Sequence, residues 1–180
     1  MPDDVSDSSA LRLKILSPER LALKHDLARF RNGRHPSLDD WLTRRALASE
    51  GLSARTYVVC ARDEPERVIG YYAISTAMEQ RLTLPTAKLR RDMPDEIPLL
   101  LVGRLALDQE WQGLGLGSAL LSDALQRCLV ASEIAGVRAV VVHAIDDEAA
   151  TFYRHHGFLA SPLGERALVM PIETLRALFR

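Results

Sequence analysis

A chain of 180 residues with 47% hydrophobic and 26% charged side chains has the make-up of one globular domain, long enough for a well-buried core and short for two. No apolar run approaches the ~20 residues of a membrane helix, and the opening MPDDVSDSSA lacks the basic and apolar stretches of a secretory leader, so a cytoplasmic protein is expected. A net charge of -1 argues against a uniformly basic nucleic-acid binder, but the first ten residues carry three aspartates and no base, which leaves +2 on the remainder and makes charge a local property.

In chain order, residues 1–10 read as a solvated, disordered tail. LRLKI (Leu11 to Ile15) alternates as a short strand, and Ser17-Pro18 supplies an N-cap and first-turn proline for a helix reaching about Phe30. A second helix is expected from Ser37 as N-cap. It has Asp39 and Asp40 in its first turn, carries Leu38, Trp41, Leu42 and Ala46 on one face, and stops at Gly51. RTYVVCA and RVIGYYAIST flank the turn-like RDEPE as a hairpin. Met78 to Ile97 has charges, Pro85 and Pro94 and no period, and reads as a surface excursion of the length reserved for function. The most apolar strand, IPLLLVGRLALD, then runs into a glycine loop. A helix from about Gly115 to Glu133, the buried strand VRAVVVHAID, a short helix DEAATFYRHH ending at Gly157 and a last strand RALVMPI complete a mixed α/β chain. Cys60 and Cys128 lie in apolar patterns, the latter in helical register with Leu116, Leu120 and Ala124, and read as buried free thiols.

The glycine loop WQGLGLGSALL (Trp111 to Leu121) carries the chemistry. A P-loop needs Lys after its last glycine, but Gly117 is followed by Ser118-Ala119. A dinucleotide fingerprint starting at Gly113 needs its third glycine where Ser118 stands, and an early βαβ repeat that this chain lacks. A cradle for another pyrophosphate remains, with backbone N–H groups converging on an anion at a helix N-terminus, beside the plainer reading of a close-packing helix start that binds nothing.

Gln112-x-x-Gly115-x-Gly117 after an apolar strand resembles the acetyl-CoA loop of the GNAT N-acetyltransferases, and DDEAATFYRHHGF resembles that family's closing segment through Ala149, Tyr153, Gly157 and Phe158. More closely, LDDWLTRRAL, YVVCA, VIGYYAIS, RRDMPDEIPLLLVGRLALDQEWQGLGLGSALL and FYRHHGF together resemble the GNAT toxins of bacterial toxin-antitoxin modules, with Asn32 standing where a Cys is expected in the opening motif. The resemblance implies one GNAT domain over 11–180: a central mixed, mostly antiparallel sheet with splayed fourth and fifth strands and about four helices. It implies acetyl-CoA as co-substrate, held by Leu105, Ala106 and Leu107 along the strand and by Gln112, Gly113, Leu114, Gly115, Leu116, Gly117 and Ser118 in the loop, with Asp146 beside the cofactor arm.

On the same resemblance, Tyr153 is the general acid for the departing thiolate, the alternative being that it merely packs. The acceptor is the α-amine of aminoacyl-tRNA, docked on Lys88, Arg90 and Arg91 with Arg81 and the Lys24 to Arg34 stretch extending the surface; a plain solvated loop is the alternative. A homodimer and a ribbon-helix-helix antitoxin are implied as well. The competing functions are acetylation of a small amine or a protein N-terminus, and a non-catalytic acyl-CoA sensor. His25, His35, His143, His155 and His156 show no metal-ligand spacing, and no metal is expected.

Overall fold

The structure, a computed structural model, describes residues 4–180. Its strands are β1 (Glu19–Arg20), β2 (Arg55–Cys60), β3 (Val68–Gln80), β4 (Glu96–Leu107), β5 (Ala139–His143), β6 (Leu159–Ala160) and β7 (Ala167–Pro171). They form one mixed sheet in the order β1-β2-β3-β4-β5-β7-β6, with β4 and β5 parallel and β1-β2, β5-β7 and β7-β6 antiparallel. The helices are α1 (Asp4–Lys14), α2 (Pro36–Trp41), α3 (Leu47–Ser49), α4 (Ala87–Arg90), α5 (Leu116–Ile134), α6 (Asp147–His155) and α7 (Ile172–Leu178), with a π-helical turn (Leu42–Ala46) joining α2 to α3. The chain forms two compact units, one of Met1–Ala73 with Arg104–Ala124 and one of Ile74–Gly103 with Leu125–Arg180; β3, β4 and α5 contribute residues to both.

In the first unit, Leu21, Leu27, Phe30, Leu42, Ala46, Val58, Cys60, Val68, Tyr71 and Ala106 form one buried cluster, with Leu38 and Trp41 against it, so the apolar face read from the second helix is the buried one. Tyr71 organises this cluster: Phe30 meets it edge-on at 5.5 Å, Trp41 stacks on it at 5.8 Å, and its hydroxyl donates to the Leu38 carbonyl at 2.7 Å. Gly70 permits close approach, since a Cβ there would lie 2.8 Å from Leu107 Cδ2 and 3.0 Å from Leu120 Cδ1. That clearance lets the first half of α5 rest on the sheet.

The second unit is built on β4, β5 and β7. Leu84, Ile97, Leu99, Ala139, Val141 and Val169 form its cluster, joined by Leu89 and Met93. The 78–97 segment is therefore no free surface loop: β3 runs on to Gln80, Thr83 and Leu84 are buried, and Ser161 Oγ donates to the Thr83 carbonyl. Both thiols are free and buried, which pushes Cys60 up to about 11 and Cys128 up to about 12.

The opening of the chain differs from its reading. Asp4–Lys14 is helical where a tail and the strand Leu11 to Ile15 were expected, because Ala, Leu, Arg and Lys favour helix and Ile15 is the one β-branched residue of the short alternation; residues 1–3 lie outside the described residues. No helix follows Ser17-Pro18. Glu19 and Arg20 pair with Val58 and Tyr57, and the next turns are closed by local bonds from Ala22 N–H to His25 Nδ1 and from Ala28 N–H to Asp26 Oδ1, which compete with helix. The next helix is capped by His35, not Ser37, since Pro36 at its first position holds the preceding residue extended (φ -127°, ψ 90°).

The Tyr71 cluster should dominate the stability of the first unit. Phe30→Ala is expected to lower unfolding free energy by about 3–5 kcal/mol, measured by urea denaturation; a loss below ~1 kcal/mol would show that the edge-on contact is dispensable.

Candidate active site

The β4–β5 ladder pairs Leu99–Val102 with Ala139–Val142, and β4 continues beyond it through Gly103 to Leu107. After Leu107, Asp108 caps a 3-10 turn (Gln109–Trp111) by accepting from Glu110 N–H at 3.0 Å, and Gln112 leads into the glycines. Gly113 (φ 76°) and Gly115 (φ 79°) have left-handed backbones, and a Cβ at either would meet no heavy atom within 4 Å. Gly117 differs: it lies in the first turn of α5, so only two of the three glycines are needed for their backbone conformation.

The loop ends at the N-terminus of a 19-residue helix whose first turn holds no acidic side chain. Its first N–H groups have no intrahelical acceptor, and its dipole favours an anion. A positive-φ loop whose flanks are open, leading to such an end, fits a pyrophosphate. Leu114 is 45% exposed and Ser118 is exposed, whereas Leu116 is buried in the core, so at Leu116 only the backbone is available to a ligand.

The side chain of Gln112 points into the protein. Its Nε2 donates to the Asn32 carbonyl at 2.8 Å and to the Leu107 carbonyl at 3.1 Å. Asn32 Nδ2 donates to the same Leu107 carbonyl at 3.1 Å, and Asn32 Oδ1 accepts from the N–H groups of Arg34 and His35. Asp108 Oδ2 accepts from Arg31 N–H at 3.0 Å. Sequence reading singled out Asn32 only as a departure and missed Asp108; the available signal for Asp108 was a short polar residue closing the apolar run of β4. Of the three strand residues, Ala106 belongs to the buried cluster, while Leu105 and Leu107 are half-buried. The one charged side chain between Ile97 and Leu107 is Arg104, whose guanidinium lies 4.8 Å from the centre of the Trp41 ring.

In the second unit, Asp146 is the N-cap of α6, accepting from Ala149 N–H at 2.7 Å. Tyr153 follows on that helix, 7% exposed and edge-on to Phe152 and Phe158 at 5.3 and 5.5 Å. Burial pushes its hydroxyl up to about 12, so it keeps its proton throughout the physiological range. The basic segment is ordered on α4, which Thr86 caps through Leu89 N–H; Lys88 and Arg91 are exposed and Arg90 half-buried. Arg81 is engaged by Asp95 and the Met93 carbonyl. In the first unit, Lys24 pairs with Glu19 and Arg29 with Glu64, which reduces the cationic character expected of the Lys24 to Arg34 stretch.

Residues 53–159 match the family model described as Acetyltransferase (GNAT) domain. A tRNA-acetylating toxin of Mycobacterium tuberculosis (strain ATCC 25618 / H37Rv) is 41% identical over 162 residues, 90% of this chain and 95% of its own. Among solved structures, AtaT complexed with acetyl-methionyl-tRNAfMet is similar with a TM-score of 0.84 and 29% identity, covering 92% of this chain and 99% of that one. A mutant AtaT toxin bound to the C-terminus of the antitoxin AtaR and acetyl-CoA is similar with a TM-score of 0.75 and 29% identity, covering 92% and 98%.

The open space around Gly115 makes a clean test. Gly115→Asp is expected to abolish acetyl-CoA binding in calorimetry, because a carboxylate enters the anion niche, while stability falls by no more than about 1–2 kcal/mol from the left-handed backbone. Normal affinity in this variant would rule out the cradle.

Proposed function

Because this chain belongs to the GNAT acetyltransferases, we propose that it transfers the acetyl group of acetyl-CoA to the α-amine of aminoacyl-tRNA, and so acts as a toxin that blocks translation. The observation that carries this reading is the similarity over nine-tenths of the chain to a tRNA-acetylating toxin. A protein of this kind is paired with an antitoxin, here proposed to be a ribbon-helix-helix protein whose tail covers the active site, and works as a homodimer; the antitoxin complex among the similar structures supports such a pairing.

Acetyl-CoA supplies an activated thioester. In this reading Gly113, Gly115 and the first N–H groups of α5 hold its pyrophosphate, and Leu105, Ala106 and Leu107 run along its arm, where a backbone N–H polarises the thioester carbonyl. The part of β4 beyond its ladder with β5 supports this assignment, since those residues do not belong to that ladder. Asp146, as a helix cap, acts by fixing the start of α6.

No Asp or Glu lies between Ile97 and Leu107 to serve as a base along the strand. A lysine amine with a pKa near 10.4 is neutral in about one molecule in two thousand at pH 7, an α-amine near 7.7 to 8.0 in about a tenth, so an aminoacyl ester needs no strong base. Tyr153, protonated up to about 12, donates a hydrogen bond to the departing sulfur. It is a weaker acid than the thiol, so its contribution is largest while the carbon–sulfur bond is breaking. The proton that the amine loses balances the one that the sulfur gains. Lys88, Arg90 and Arg91 neutralise tRNA phosphates.

Incubation with labelled acetyl-CoA and total tRNA, charged or deacylated, is expected to label only charged tRNA, at the aminoacyl amine. Label on a small amine or a protein N-terminus would replace this acceptor, and no transfer to any amine would leave an acyl-CoA sensor.

Tyr153→Phe keeps the ring and its edge-on contacts, so acetyl-CoA affinity should hold while single-turnover transfer falls about 10²- to 10⁴-fold. In the wild-type protein, because burial raises the hydroxyl to about 12, the rate should rise with deprotonation of the acceptor amine and show no fall from Tyr153 up to pH 10. Transfer within threefold of wild type would remove Tyr153 from the chemistry.

Charge reversal of Arg90 and Arg91 to Glu should weaken acetylation of charged tRNA in a salt-dependent manner and leave acetyl-CoA affinity unchanged. Full activity at physiological salt would place the docking surface elsewhere.

A further inference from the structure

We infer that Asn32 and Gln112 form a positioning pair that sets the glycine loop for acetyl-CoA; this rests on the acetyltransferase reading above. Gly113 and Gly115 are the loop's two left-handed residues, and beyond the adjacent residues no heavy atom lies within 4 Å of where a Cβ at either would sit. No neighbouring side chain braces the outer faces of these two glycines, so their orientation is inherited from the two ends of the loop. One end is α5, which begins at Leu116. The other is Gln112, directly before Gly113.

Gln112 is fixed through its side chain. Its Nε2 bridges the Asn32 and Leu107 carbonyls at 2.8 and 3.1 Å, and Asn32 Nδ2 adds a second donor to Leu107 at 3.1 Å. Asn32 is itself held by three further bonds: its N–H donates to Asp39 Oδ1 at 2.8 Å, and its Oδ1 accepts from Arg34 and His35 N–H at 3.3 and 3.0 Å. At 7% exposure it has little water to replace these partners. The position requires a side chain that donates and accepts at once. A carboxamide does both, and a thiol does either only weakly.

The pair therefore acts on cofactor affinity and not on bond breaking. Asn32→Asp keeps the acceptor for Arg34 and His35 but sets a carboxylate oxygen against the Leu107 carbonyl; Gln112→Leu removes the other donor together with its bond to the Asn32 carbonyl and leaves the Asn32 side chain in place. For the full-length protein, calorimetry with acetyl-CoA should show at least a tenfold rise in Kd for each variant. For Asn32→Asp, turnover on charged tRNA at saturating acetyl-CoA should stay within about threefold of wild type, and so should KM for the tRNA. The double variant should bind acetyl-CoA no more than about twofold worse than the weaker single, because both act on one anchor.

Wild-type Kd in either folded variant, whatever happens to the melting temperature, would overturn the inference, as would lost turnover with unchanged affinity. If one variant fails to fold, the other decides alone. If the wild-type protein itself does not bind acetyl-CoA, the acetyltransferase reading fails instead, which separates the two outcomes.

Discussion

The carbonyl of Leu107 is the last of β4, and two side-chain amides converge on it from residues 75 positions before it and 5 after it. A strand that ends in the open dissipates its direction within a residue or two. Here the terminal acceptor is saturated, so β4 keeps its direction up to the point where the chain turns. Asp108 reinforces this by accepting from Arg31 and Glu110, and Gly70 leaves room for Leu107 and Leu120 behind. The 3-10 turn, the two left-handed glycines and the start of α5 all follow from where that carbonyl is held.

In both units, bases are neutralised by acids distant in sequence: Arg29 by Glu64 and Arg67 by Glu110 in the first, Arg138 by Glu173 and Arg176 by Glu133 in the second. In the second, α4 presents Lys88 with no acid in its first turn, on a segment anchored by Leu84, Leu89 and Met93. A cationic segment fastened to a core loses little entropy when it meets a polyanion, so its contribution to docking is less diluted than that of a floppy basic tail.

What the sequence revealed is what leaves a local or periodic trace. β4 is a long apolar run, α5 carries Leu116, Leu120, Ala124 and Cys128 at helical spacing, and Tyr153 sits in a short motif, so these were legible. The opening of the chain was not, because Ser17-Pro18 is a valid cap signal that pairing of Glu19 and Arg20 with β2 overrides. The bonds of the carboxamide pair left no trace: their partners are backbone atoms, which every residue type carries, brought together across 75 and 80 positions. For the same reason the Lys24 to Arg34 stretch looked cationic, since Glu64 cannot be seen as a neighbour of Arg29 from the sequence alone.

The long sequence separation between Asn32 and Gln112 also sets an order of events during synthesis. A nascent chain that has exposed only its first hundred residues contains Asn32, α2 and the hairpin but neither Leu107 nor the loop, so it has nothing to bind the cofactor. Tyr153 emerges later still. For an enzyme proposed to disable the charged tRNAs that feed the ribosome, competence thus arrives only near the end of translation. The ribosome making it is spared from its own unfinished product.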